Sequence, residues 1–306
     1  MTYPSVIEGV KLEDYSRSGW YVSMTYVLWA LMIAYDVASH SPIHEVSGSN
    51  ESMTSVSLGY IGGHAFGMVQ YLVVYLYCEN CLRREFCLFV LKGGLLSVAF
   101  AFVVGRGIIS TAQLYGDQLA VALTFEGAHL AVSIFTWFFS ALVEEFGKLA
   151  VFTLSLRDES ILPGQVRSAR EVLFLSGAVG LGFQMIENEL YLRTYLTSGI
   201  LYEGDIYIGG FLIYLGCLRT LPMMHVCWIA SSALRIWKTT LSRGESPTIG
   251  EFFWTIIVSS LLHFSWNTLG YMKEYARLAS EDVSLPLLAV LWIISAGVAI
   301  FRYRRC

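Results

Sequence analysis

Apolar residues run for about twenty positions at a time along this chain, with polar residues confined to short gaps between the runs. A helix that crosses a bilayer needs ~20 mostly apolar residues at 1.5 Å each. That rule predicts about eight spans, over 19–39, 58–77, 87–105, 129–155, 171–193, 206–234, 250–271 and 285–301. Segment 107–127 fits less well. It is moderately apolar, carries Asp117 and Glu126, and reads as a re-entrant or interfacial helix or a loop. The longest polar stretches, 36–57 and 157–170, read as loops, so residues 1–306 form one all-α polytopic membrane domain.

The short gaps carry Lys and Arg unevenly. One set holds Arg83, Arg84, Arg157, Arg167, Arg170, Arg235, Lys238, Arg243, Arg302, Arg304 and Arg305; the other holds only Arg106, Lys273 and Arg277. The excess marks the cytoplasmic side and predicts that both termini lie there. Residues 1–18 are polar and lack a cleavable signal pattern, so run 19–39 reads as an uncleaved anchor.

Composition agrees with this class: 55% of the 306 residues are hydrophobic and only 14% charged, against ~25% charged in soluble domains. The net charge of −4 gives no reason to expect a nucleic-acid partner. The expected surroundings are a lipid bilayer, the plasma membrane in a prokaryote or an endomembrane in a eukaryote. Asn50-Glu51-Ser52 is a sequon of the predicted outer side and has meaning only in the second case. Cys217 and Cys227 lie in an apolar run and read as small hydrophobes. Cys78-x-x-Cys81 is a lone pair beside the membrane, a weak zinc or acylation signal.

Candidate chemistry lies inside the runs. Glu144, Glu145 and Lys148 fall in 129–155, Glu187 in the next run, then His225 and His263 in the two after that. An ionisable group in hydrocarbon costs several kcal/mol and is a functional candidate by default. Counted from the cytoplasmic end of each span, these residues lie about 10 to 17 positions deep, in one slab at roughly 15–25 Å. Lys148 follows Glu144 by four positions and Glu145 by three, so on a helix it can pair with either. Glu187 has no cation within a turn except Arg193 and must pair across helices, while Glu189 points the opposite way and reads as interfacial. Pro222 predicts a kink near His225, and Arg219 before it is a counter-ion for the glutamates. His263 and Asn267, four apart on one face, can both donate to one oxygen, as an oxyanion site requires. His64, among Gly62, Gly63 and Gly67, reads as close helix packing.

Four blocks, Glu144-Glu145-x-x-Lys148, Phe183-x-x-x-Glu187, Arg219…Pro222…His225 and His263-x-x-x-Asn267, resemble in order the PrsW family of intramembrane proteases, within the CAAX-protease and bacteriocin-processing superfamily. Glutamate at 187, where the prenyl-protein peptidases carry histidine, favours the PrsW branch; a distant group of membrane scaffolds keeps intramembrane histidines without the glutamate pair. The resemblance covers about 140–267 and implies a catalytic core over 129–271. It further implies hydrolysis of a peptide bond in a membrane-protein or peptide substrate, such as an anti-sigma factor. Glu144 or Glu145 would then activate water with help from Glu187, His263 and Asn267 would hold the oxyanion, and His225 would polarise the site or protonate the leaving amine. Lys148, Arg219, Phe183 and Asn188 would balance charge and support the site.

Three close carboxyls cannot all ionise cheaply, so one is expected to hold a proton. No His-Glu-x-x-His is present and Lys148 and Arg219 already supply positive charge, so the reading favours a metal-free glutamate mechanism. The alternative is zinc, with Glu144, Glu145, Glu187, His225 and His263 as candidate ligands. Two non-proteolytic readings stand beside these. A proton-coupled transporter also buries Glu and His, though the two halves show no duplicated motif. The other is a non-catalytic membrane scaffold.

Overall fold

A computed structural model describes residues 53–78, 82–105, 107, 108, 110, 111, 127–157, 168–197, 212, 213, 216, 217, 219, 220, 222–243, 245–274 and 281–306. The first predicted span, the sequon at Asn50, Cys81 and most of 107–127 lie outside them.

The described residues are mostly helical, with no strand among them. The helices are α1 (Met53–Tyr77), α2 (Arg83–Gly105), α3 (Gly127–Arg157), α4 (Ala169–Thr197), α5 (Met224–Thr239), α6 (Ile249–Glu274) and α7 (Glu281–Arg304). Hydrocarbon offers backbone groups no partner, so segments of this composition must satisfy them internally, as helices do. Four of them, α2, α4, α6 and α7, contain stretches long and apolar enough to cross a membrane. Each helix falls on a predicted span from the second to the eighth, with one difference in the sixth.

That predicted span, 206–234, is broken. Pro222 has no N–H to give, Met223 takes a left-handed conformation with φ 50°, and α5 starts at Met224. The break is stabilised by supplying partners to the carbonyls it frees. Thr220 O accepts from Met223 N–H at 2.9 Å, from Gln70 Nε2 at 2.6 Å and from Gln184 Nε2 at 3.4 Å. Pro222 O accepts from Trp292 Nε1 at 2.9 Å. Irregular backbone at membrane depth survives where protein groups satisfy it in this way.

Helix α4 is the hub. It packs against α1, α2, α3, α5 and α7, while α6 packs against α3, α5 and α7. Tyr71, Phe86, Phe89, Phe152, Leu175, Val179 and Ile229 form the centre of its apolar surroundings, and Cys78 is buried among them. Apolar residues gain nothing from leaving lipid tails, so close approach in a bilayer depends on small residues. At Gly180 a Cβ would lie 2.7 Å from the His225 carbonyl oxygen and 2.8 Å from Val226 Cα. This glycine therefore sets how near His225 comes to α4. At the α2–α4 crossing, a Cβ on Gly93 would stand 2.5 Å from Val179 O, and one on Gly182 would overlap Val90 O. Gly93 also opens a π-helical turn, Gly93–Ser97, that widens α2 where α4 passes. Because backbone atoms face Gly182, no rotamer change can relieve a clash. Gly182→Val should abolish the monodisperse folded peak in detergent chromatography, whereas Gly105→Val, with nothing within 4 Å of its Cβ, should leave it unchanged.

Candidate functional site

Helices α3, α4, α5 and α6 bring Glu144, Glu145, Lys148, Glu187, His225 and His263 into one connected cluster. Glu145 is buried at 1% exposure and Lys148 at 0%. The Lys148 ammonium donates to Glu145 Oε1 and lies 2.9 Å from His225 Nδ1. Its third side faces the Phe183 ring, 4.6 Å from the centroid. An ammonium has no acceptor, so His225 Nδ1 must accept, which puts the ring proton on Nε2. That nitrogen faces Glu187 Oε2 at 2.7 Å, and Arg219 Nη2 reaches the same oxygen at 2.9 Å. Arg219 is also held by Asn188, whose Oδ1 accepts from Nε at 3.0 Å, and by the Tyr191 ring at 3.6 Å. Glu187 thus finds its partners across helices.

The two adjacent glutamates differ. Lys148 takes Glu145 and leaves Glu144. His263 Nδ1 lies 3.0 Å from Glu145 Oε1, so a neutral ring donates there and turns the lone pair of Nε2 away from Glu145. Nε2 faces Glu144 Oε2 at 3.5 Å. Among the described residues, Glu144 Oε1 accepts a long bond from Ser140 Oγ at 3.3 Å, and Oε2, like the second oxygen of Glu145, is buried without a hydrogen bond. A carboxylate oxygen and an imidazole lone pair, both acceptors, therefore face one another. Only a proton or a cation between them makes that arrangement favourable.

The charge balance points the same way. Three carboxylates, Glu144, Glu145 and Glu187, face two fixed cations, Lys148 and Arg219, which leaves one negative charge for a proton or metal to offset. Glu144, His225 and His263 offer ligand atoms that all lie within 4.8 Å of one another. Two ligands bound at ~2.0–2.1 Å to tetrahedral zinc stand ~3.3 Å apart, close to the Glu144–His263 separation. Glu145 on the far nitrogen of His263 is the carboxylate partner that metal-binding histidines commonly carry. His225 has both nitrogens engaged and joins such a set only by giving up Lys148 or Glu187. The donor set fits zinc through Glu144 and His263, with His225 third.

Some sequence-based expectations change. His263 is turned onto the two glutamates; Asn267 stands one turn further along α6, partly buried. Glu189, expected at the interface, is buried inside the protein. It is 3% exposed, accepts from Tyr60 Oη and lies 2.9 Å from His64 Nε2, because α1 covers the face of α4 opposite Glu187. His64 is correspondingly an acid's partner as well as a packing residue. Trp228, which the motif reading passes over, stacks on His263 with centroids 4.3 Å apart. Its position three residues after His225, on the same helix face, was the available signal.

Comparison with known proteins adds one match. The model of the PrsW family intramembrane metalloproteases matches residues 93–296, about two thirds of the chain and all four motif blocks. No curated protein and no solved structure matches. With a family match of this extent over apolar helices that can cross a membrane, the chain belongs to the PrsW family and is an intramembrane peptidase.

Proposed function

We propose that this peptidase hydrolyses a peptide bond of a single-span membrane protein, a regulatory protein of the anti-sigma-factor kind, with water activated between Glu144 and His263. The observation that carries this reading is the bare Glu144 Oε2 facing His263 Nε2 at 3.5 Å, beside a glutamate already committed to lysine. Glu144 is the group free to take a proton from water. Glu145 holds His263 in the tautomer that keeps Nε2 open, and Lys148 keeps Glu145 ionised. His225, accepting from Lys148 and donating to Glu187, polarises the site, Arg219 holds Glu187 in place, and the proton that Glu144 takes from water passes on to the leaving amine. Asn267 offers a carboxamide donor to the developing oxyanion.

The family description favours metal over the metal-free mechanism expected from sequence. Glu144, His263 and His225 would then hold zinc, in place of the base role of Glu144 and with His225 giving up Lys148 or Glu187, and the metal when bound would activate water and polarise the scissile carbonyl. The fuller topology, about eight spans of which 19–39 is the first and both termini cytoplasmic, is supported by the apolar runs and the Lys and Arg asymmetry.

The test is co-reconstitution of the full chain in liposomes with a panel of single-span reporter proteins. Cleavage should appear with the wild type and vanish with His263→Ala; persistence in that variant would sink the reading. Treating the active protein with a chelator should stop cleavage, and zinc alone should restore it. Full activity after exhaustive chelation would return the metal-free mechanism to first place.

A further inference from the structure

Trp228 is buried at 1% exposure between the two histidines of the site. Its indole stacks on the His263 ring with an interplanar angle of 20° and meets the His225 ring edge-on, centroids 5.1 Å apart at 83°. The histidine rings stand 5.1 Å apart at 89° to each other, so one indole braces two perpendicular imidazoles. Its Nε1 donates to Ser295 Oγ at 3.1 Å, and Ser295 is itself 1% exposed. Ser295 belongs to α7, which carries none of the acids or histidines of the cluster. That helix is also held at the break before α5 and on α5 itself. Trp292 Nε1 donates to Pro222 O at 2.9 Å, and Arg302 Nη1 donates to Ser231 O and Oγ, both at 2.8 Å.

We infer that Trp228, locked by Ser295, is a positioning residue of the peptidase site, and that α7 is part of the site's scaffold. This rests on the role proposed for His263. The imidazole turns about a broad terminal torsion. Its hydrogen bond to Glu145 fixes one point of the ring and leaves the plane free to swing about that point. A stacked face fixes the plane, and with it the aim of Nε2 at Glu144. A misplacement of about 1 Å at a reacting group costs rate on the order of a hundredfold. The indole N–H would lack a partner at this depth without Ser295, so the two residues act as a unit.

The experiment compares Trp228→Phe, Trp228→Leu and Ser295→Ala in the full chain in lipid nanodiscs. Three quantities are measured: thermal unfolding, kcat and KM on a reporter that the wild type cleaves, and the ring nitrogen resonances of His263 in protein labelled with 15N-histidine. Trp228→Leu should lower kcat about tenfold or more with KM within about twofold, and should shift the His263 resonances. Trp228→Phe keeps a stacking face and should stay within about threefold of wild type, with Ser295→Ala between the two. Unchanged kcat and resonances in Trp228→Leu would overturn the inference. So would equal losses in the Phe and Leu variants accompanied by lower unfolding temperatures, which would make the indole packing alone. Ser295→Ala removes one oxygen and keeps the test open should Trp228→Leu fail to fold: shifted His263 resonances support the inference and unshifted ones overturn it. If the wild type cleaves no reporter, the peptidase roles fail, and the His263 resonances still decide whether Trp228 sets that ring.

Discussion

Glu144→Gln should lower cleavage about a thousandfold and leave the folded protein as stable as wild type. A positioned general base contributes roughly 10²–10⁴ in rate, and the amide can neither take a proton from water nor serve as an anionic ligand. Stability is spared because little is lost. Among the described residues, Glu144 makes one long hydrogen bond, from Ser140, and its other oxygen makes none. The glutamine amide can even donate to His263 Nε2, replacing two facing acceptors with a donor and an acceptor. Single-turnover cleavage of the reporter together with thermal unfolding in detergent reads both halves. Residual cleavage within tenfold of wild type would remove Glu144 from the base role. The neighbouring Glu145→Gln should behave differently, losing stability and rate together, because Glu145 holds both Lys148 and His263.

Lys148→Met should be the most damaging single change to folding among the residues of the site. Both partners of the Lys148–Glu145 pair have side chains at 0% exposure, so removing the lysine leaves a buried carboxylate with its remaining support only from His263. Breaking a buried pair by removing one partner costs about 3–5 kcal/mol, mostly the penalty of the stranded charge. The loss should appear as a sharply lower unfolding temperature or as protein that never leaves aggregates. Adding Glu145→Gln to Lys148→Met removes the stranded charge and should recover most of that stability without recovering cleavage. A double variant no more stable than Lys148→Met would show that the lysine acts through His225 or Phe183 and not through Glu145.

These two expectations turn on a distinction that the order of residues leaves open. Glu144 and Glu145 precede Lys148 by four and three positions, and on an isolated helix either spacing brings a carboxylate within reach. The choice is made by other helices: His225 from α5 and the Phe183 ring from α4 fix where the ammonium sits, and His263 from α6 completes the surroundings of Glu145. Glu187, Asn188 and Glu189 show the same division of labour. Three successive residues serve the histidine site, Arg219, and the Tyr60–His64 pair, because neighbouring helices pack on both the Glu187 and the Glu189 faces of α4.

Membrane class, the positions of the described helices and the presence of acids and histidines inside apolar runs were legible in the residues alone. Hydrocarbon forces the backbone into helices of a set length and makes every buried charge conspicuous, so a one-dimensional count suffices. Pro222 likewise announced a disruption, because its missing N–H is a local property. What only the tertiary structure decided is pairing: the bare oxygen on Glu144, Arg219 with Glu187, Glu189 with His64, Trp228 against His263, and the carbonyls of the break capped by Gln70, Gln184 and Trp292. These contacts join residues on different helices, and they depend on how far each helix is rotated and how closely it approaches. Glycines such as Gly180 and Gly182 permit that approach by what they lack, and the rotation is settled only when all the neighbours pack together.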